Sequence, residues 1–176
     1  MGEVGLIRRE QPAQIVLGAV AFGKPKPTTR DHPLSSDEAC AALLEAFVAQ
    51  GGKELDTARV YQNGNCEAVL GRLDVAKKIR IATKYHPNLP GTPFEQLDES
   101  LTALKQSAVP IYYLHMPATQ IPLEDTLASI HAGYQAGKFV EFGLSNFPAW
   151  QVVEVCQYCQ RNSLVLPSVY QGVYNA

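Results

Sequence analysis

Short apolar runs alternate with longer stretches of helical spacing along nearly the whole chain, and that alternation limits the fold more than any other feature. A first apolar run, Ile15 to Phe22, leads through a Pro/Thr/Ser-rich stretch to Ser35-Ser36-Asp37-Glu38. These four residues read as a capping box opening a helix that ends near Gly51-Gly52. A second strand closes at Asp56, a loop carries Tyr61 and Gly64, and a short helix, Cys66 to Leu73, precedes a third strand, Ile79 to Lys84. Thr92-Pro93-Phe94-Glu95 is a second capping box with proline at the first helical position, and Leu97, Leu101 and Leu104 then recur at helical spacing. The fourth strand runs from Ile111 to His115, and Leu123, Leu127, Ile130 and Tyr134 stripe the helix after it, which Gly137-Lys138 terminates. Phe139 to Leu144 is the fifth strand, Pro148 starts a helix reaching about Asn162, and Leu166 to Tyr170 is the sixth strand.

Repeated βα units of this size predict a parallel sheet covered on its faces, either a doubly wound sheet or a (β/α)₈ TIM barrel. No G-x-G-x-x-G follows the first strand, where a doubly wound dinucleotide domain needs glycines to approach a pyrophosphate. The barrel is therefore favoured. An intact barrel takes about 250 residues, whereas 176 residues leave room for six of eight units, so a single domain over 1–176, truncated at its C-terminus, is expected.

With 46% hydrophobic residues the chain can bury one sizeable core. Fifteen basic against seventeen acidic residues give a formal charge of -2, and no run of like charges suggests a nucleic-acid surface. Met1-Gly2-Glu3-Val4-Gly5-Leu6 lacks a signal pattern, Leu6 replaces the Ser or Thr of a myristoylation signal, and no apolar run reaches the roughly 18 to 20 residues of a membrane span. A cytoplasmic protein without a membrane partner is expected. Cys40, Cys66, Cys156 and Cys159 are too scattered for a disulfide framework. Cys156 and Cys159 fall mid-helix with no second pair, so they read as small core residues rather than metal ligands. His32, His86 and His131 stand at no ligand spacing, so no metal is expected. Met116 is expected to line a substrate pocket, and Trp150 to pack a helix against the barrel.

Asp56, Lys84 and His115 each close a strand, and Tyr61 lies in the loop after one of them. Singly, these are ordinary residues: a turn aspartate, a solvated lysine, a locally satisfied histidine. Together they sit at the end of a parallel sheet where function collects. They suggest proton transfer. A lysine cation beside a phenol lowers its pKa, an aspartate holds that cation in place, and a histidine orients a substrate oxygen. Such an acid protonates a carbonyl as hydride reaches carbon; no side chain supplies hydride, so a nicotinamide cofactor is required. Ser145 and Asn146 after the fifth strand, with Gln171 in the sixth, offer the hydroxyl and amides that read a carboxamide.

These segments resemble the aldo-keto reductases, most closely the aflatoxin-aldehyde (succinic semialdehyde) reductase branch. The resemblance rests on Leu17-Gly18-Ala19, Glu54 to Tyr61, Ala82-Thr83-Lys84, Tyr113-Leu114-His115, Gly137-Lys138-Phe139-Val140, Gly143 to Phe147, and Val169 to Asn175. It implies a (β/α)₈ barrel and NADPH-dependent reduction of small aldehydes and ketones, with Tyr61 as acid and Asp56, Lys84 and His115 in support. It also implies that Ser145, Asn146 and Gln171 hold the nicotinamide, with Gly18 and Ala19 beside the cofactor. Relatives continue past a sixth strand into an aromatic that stacks on the nicotinamide and a basic loop for the 2′-phosphate; Pro110 and Ala118 stand where relatives often carry Asp. A non-catalytic barrel subunit, like those that accompany some potassium channels, and an inactive fragment are the alternatives; oligomeric state is not encoded in any motif.

Overall fold

The computed structural model describes residues 13–24 and 32–174. Met1 to Leu6, where a signal or lipid motif would fall, part of the Pro/Thr/Ser-rich stretch, and Asn175 lie outside them. Six strands, β1 (Val16–Gly18), β2 (Glu54–Asp56), β3 (Arg80–Tyr85), β4 (Val109–Leu114), β5 (Phe139–Ser145) and β6 (Pro167–Gln171), form one sheet in that order, every pair parallel. A doubly wound sheet reverses its strand order at a switch point. Here the order never reverses, so among the described residues the sheet is an open barrel wall of six strands, with β1 and β6 each paired on one side.

Five α-helices cross between successive strands: α1 (Asp37–Ala49), α2 (Asn65–Arg72), α3 (Pro93–Leu104), α4 (Leu123–Gln135) and α5 (Ala149–Arg161). Local chemistry sets their ends. Thr92 forms the expected capping box, its hydroxyl accepting from the Glu95 N–H while Glu95 reaches back to the Thr92 N–H. At α1 the cap lies one residue later than expected: Ser36, not Ser35, accepts from the Ala39 N–H. Pro148 precedes α5 as its N-cap rather than sitting in the first turn. The first apolar run is only partly strand. After Gly18 the chain turns, Ala19 N–H donating to Asp56 O and Phe22 N–H to Ala19 O, and Ala19 and Phe22 enter the core from that turn.

Leu55, Ile81, Tyr112, Leu114, Phe142 and Leu144 from the strands form one buried cluster with Leu70, Leu97, Leu104, Leu127, Ile130 and Val155 from the helices. Each such side chain contributes about 1.5–3 kcal/mol by leaving water. α2 and α3 approach so closely at Gly71 that an added Cβ would lie 1.9 Å from the Ala103 carbonyl oxygen. Beside them Glu67 is wholly buried, accepting from Thr83 Oγ1 (2.6 Å) and paired with Arg59 (3.1 Å). Cys159 is buried and Cys156 partly so, both free. Trp150 does not pack against the barrel: it is 66% exposed, because the inward stripe of α5 runs through Val155 and Cys159. Among the described residues no helix is long and apolar enough to cross a membrane.

Candidate active site

The C-terminal ends of β2, β3 and β4 bring three of the four expected side chains together. Asp56 is the last residue of β2, and Lys84 is the penultimate residue of β3, which runs one residue further than expected. His115 lies just past β4, held by its N–H donating to Tyr85 O (3.0 Å). Lys84 is completely buried, an arrangement that requires partners for its ammonium. Its Nζ donates to Asp56 Oδ2 and to Thr57 O (2.8 Å), and lies 5.2 Å from the centre of the Tyr61 ring. Tyr61 begins a tight 3₁₀ turn after β2, and its ring meets His115 edge to face with centroids 5.6 Å apart. All four residues therefore converge.

The turn that presents Tyr61 is unusual. Gln62, Asn63 and Gly64 have φ of 52°, 54° and 85°, three successive residues in the left-handed region, which strains side chains other than glycine. Gln62 Nε2 donating to Val20 O (2.8 Å) ties the turn to the end of β1.

The electrostatics depart from the expectation that Lys84 lowers the Tyr61 pKa. Burial, followed by the nearby Asp56 charge, pushes the Tyr61 hydroxyl up to about 12. Asp56 sits against the ammonium, and its negative charge opposes the ammonium's at the phenol. Burial also lowers the Lys84 pKa, with Asp56 opposing it. His115 falls to about 4 through burial, then Lys84, then His86, so its imidazole is neutral at pH 7. Asp56 Oδ1 and His115 Nδ1 are buried without a hydrogen-bond partner among the described residues.

Two contributors escaped the sequence reading. His86, one residue past β3, sets its ring edge to face on His115 at 5.3 Å. Its backbone is fixed by Gln96, a 1%-exposed residue whose Oε1 accepts from His86 N–H and whose Nε2 donates to His86 O. No motif marks either; Gln96 could have been suspected as a polar residue beside Leu97 on the inward stripe of α3.

Ser145, Asn146 and Gln171 form a second group next to the first. Asn146 is left-handed (φ 60°), and its Nδ2 donates to His115 O (2.9 Å) and Ser145 Oγ (3.0 Å), while its N–H donates to Gln171 O (3.1 Å). Oδ1 remains its acceptor, and the buried Ser145 hydroxyl, accepting there, keeps its hydrogen to donate. That donor set suits a carboxamide. Gln171 lines a recess on the inner face with Asp56 and Tyr113. Gly18 ends β1 in an open position, whereas Ala19 is sealed, its N–H given to Asp56 O and its carbonyl accepting from Cys66 Sγ. Among the described residues no group of three or more His, Cys, Asp or Glu is placed to hold a metal ion.

The sequence that folds into this six-stranded, singly wound wall is matched by a family model. The model of the aldo/keto reductase family covers residues 14–176, and the chain belongs to that family. Among individual relatives it is 41% identical over 180 residues to human aldo-keto reductase family 7 member A3 and 40% identical over 180 residues to human aflatoxin B1 aldehyde reductase member 4. Each alignment takes in 97% of this chain and 51% of the relative, so the chain spans about half the length of these curated relatives. A solved thermostable aldo-keto reductase, in complex with the inhibitor epalrestat, superposes with a TM-score of 0.76 at 26% identity, over 96% of this chain and 61% of that one.

Proposed function

We propose that this chain carries the proton-transfer half of an NADPH-dependent carbonyl reductase acting on small aldehydes or ketones in the cytoplasm. The observation that supports it best is the buried Lys84–Asp56 pair lying under the Tyr61 ring with His115 against its edge. A reduced nicotinamide supplies hydride to a carbonyl carbon when bound. Ser145, Asn146 and Gln171 would hold its carboxamide, and Gly18 offers open backbone beside it. Tyr61 gives its proton to the carbonyl oxygen. Neutral His115 orients that oxygen, and the strained turn after Tyr61 fixes the phenol in place. Lys84, held by Asp56 and Thr57, steadies the phenolate once the proton has left.

Because Tyr61 is held up to about 12, it stays protonated across the neutral and mildly alkaline range. Reduction should therefore show no Tyr61-dependent fall between about pH 7 and about pH 10; a fall in that range absent from Tyr61→Phe would contradict the raised pKa, while leaving Tyr61 as the acid. The direct test is loss of NADPH absorbance with a small aromatic aldehyde. Tyr61→Phe should cost about 10²- to 10⁴-fold. Folded chain that shows no aldehyde-dependent oxidation would remove the proposal.

A further inference from the structure

Consecutive residues on a strand face opposite sides of the sheet, so Tyr85 and Leu114, adjacent to Lys84 and His115, face away from the candidate active site toward the helices. Between them, the β4–α4 loop and the first turns of α5 lies a small pocket, open at its mouth. Leu114, Met116, Ala118 and Phe147 give it an apolar lining, and the exposed Glu154 carboxylate stands at its edge.

Two buried polar atoms of residues in its wall, Tyr85 Oη and Gln151 Oε1, have no hydrogen-bond partner among the described residues. Tyr85 is 0% exposed. The contrast with Tyr112, equally buried in the same core, is informative: its hydroxyl donates to Pro93 O at 2.7 Å. Buried polar groups without a partner are uncommon, and two in the wall of one pocket point to a ligand.

We infer that this pocket is a second small-molecule site, behind the sheet from Tyr61, that takes a small, largely apolar neutral alcohol or phenol. Gln151 Oε1 can only accept, whereas Tyr85 O–H can donate, and a hydroxyl both donates and accepts. The apolar lining takes the carbon body of the ligand. Glu154 disfavours an anionic one, such as a carboxylate. Gln151 is half-buried on α5, and turning its side chain toward the entering hydroxyl breaks no hydrogen bond of its Oε1. The site does not depend on the reductase reading, because none of these residues belongs to the proton-transfer group.

Phenol and toluene, which share a ring and differ in the hydroxyl, distinguish the outcomes when titrated into the full chain and followed by ¹H–¹⁵N NMR. Phenol should shift the amides of Met116, Ala118 and Gln151 and bind about tenfold more tightly than toluene. Tyr85→Phe and Gln151→Met should each bring phenol toward the toluene value while leaving toluene unchanged. Tyr61→Phe should leave phenol binding unchanged. If Tyr85→Phe gives no folded spectrum, Gln151→Met at its half-buried position decides. Equal affinities for the two probes, phenol shifts centred on Tyr61 and His115, or no saturable shift at the solubility limit of phenol would each overturn the site.

Discussion

The inner strands and the edge strands of this wall are built from similar amino acids but live in different surroundings. Along β3 burial is unbroken from Ile81 to Tyr85, and along β5 it holds from Phe142 to Ser145. Along β6 half-buried and exposed residues alternate, and Val16 in β1 and Tyr170 in β6 are 44% and 55% exposed. A parallel strand is sealed only with neighbours on both sides and helices across its face. The difference explains why a lysine can be fully buried in β3: the adjoining end of β2 supplies both the aspartate and the carbonyl that its charge requires.

The sharpest way to break that contrast is to remove the partner. Asp56→Ala leaves Lys84 buried and uncompensated, and should cost about 3–5 kcal/mol in urea-unfolding stability, with Lys84→Met in the same chain restoring part of it. Two glycines sharpen the comparison next. A Cβ at Gly143 in β5 would meet the Tyr113 ring at 2.2 Å, whereas Gly18 at the end of β1 has nothing within 4 Å. Gly143→Ala should therefore lower stability by about 1–3 kcal/mol, and Gly18→Ala by about 0.5 kcal/mol or less; equal losses would mean that the edge is as tightly packed as the interior.

Acid should act on the inner strands first. His115 has its pKa lowered to about 4, below its unfolded value near 6.5, so the folded state binds fewer protons than the unfolded one. The stability this contributes is present above pH ~6.5 and is lost as pH falls toward about 4. Unfolding midpoints at successive pH values should drop over that window, and His115→Phe should flatten the drop. The smallest effect belongs to the edge: Val16→Lys should change stability by about 0.5 kcal/mol or less while reducing concentration-dependent association by light scattering, since a charge blunts an unpaired strand.

The alternation of elements was legible because period and punctuation are local. Thr92-Pro93-Phe94-Glu95 reads the same in sequence and in space, since every contact in it is within four residues. Boundaries slipped where tertiary packing decided them: the Ile15–Phe22 run mixes a three-residue strand with a buried turn, and Trp150 looked like core because hydrophobicity does not reveal which side of a helix faces inward. At the candidate site, Asp56, Lys84 and His115 could be found because each closes or adjoins a strand. His86 could not. Its role comes from a ring contact across 29 positions, set by Gln96 on a different element. Nor does spacing reveal that burial and the Asp56 charge raise the Tyr61 pKa that Lys84 was expected to lower; that depends on distances.

Asn146 joins three strand ends with a single residue: its amide nitrogen holds His115 O and Ser145 Oγ, and its backbone holds Gln171 O. For protein engineering this means that the Ser145–Asn146–Gln171 group and the group around His115 are not separate modules. A substitution at 146 also releases the His115 carbonyl that Asn146 holds, so variants at 146 are best sought in libraries that vary His115's neighbours at the same time.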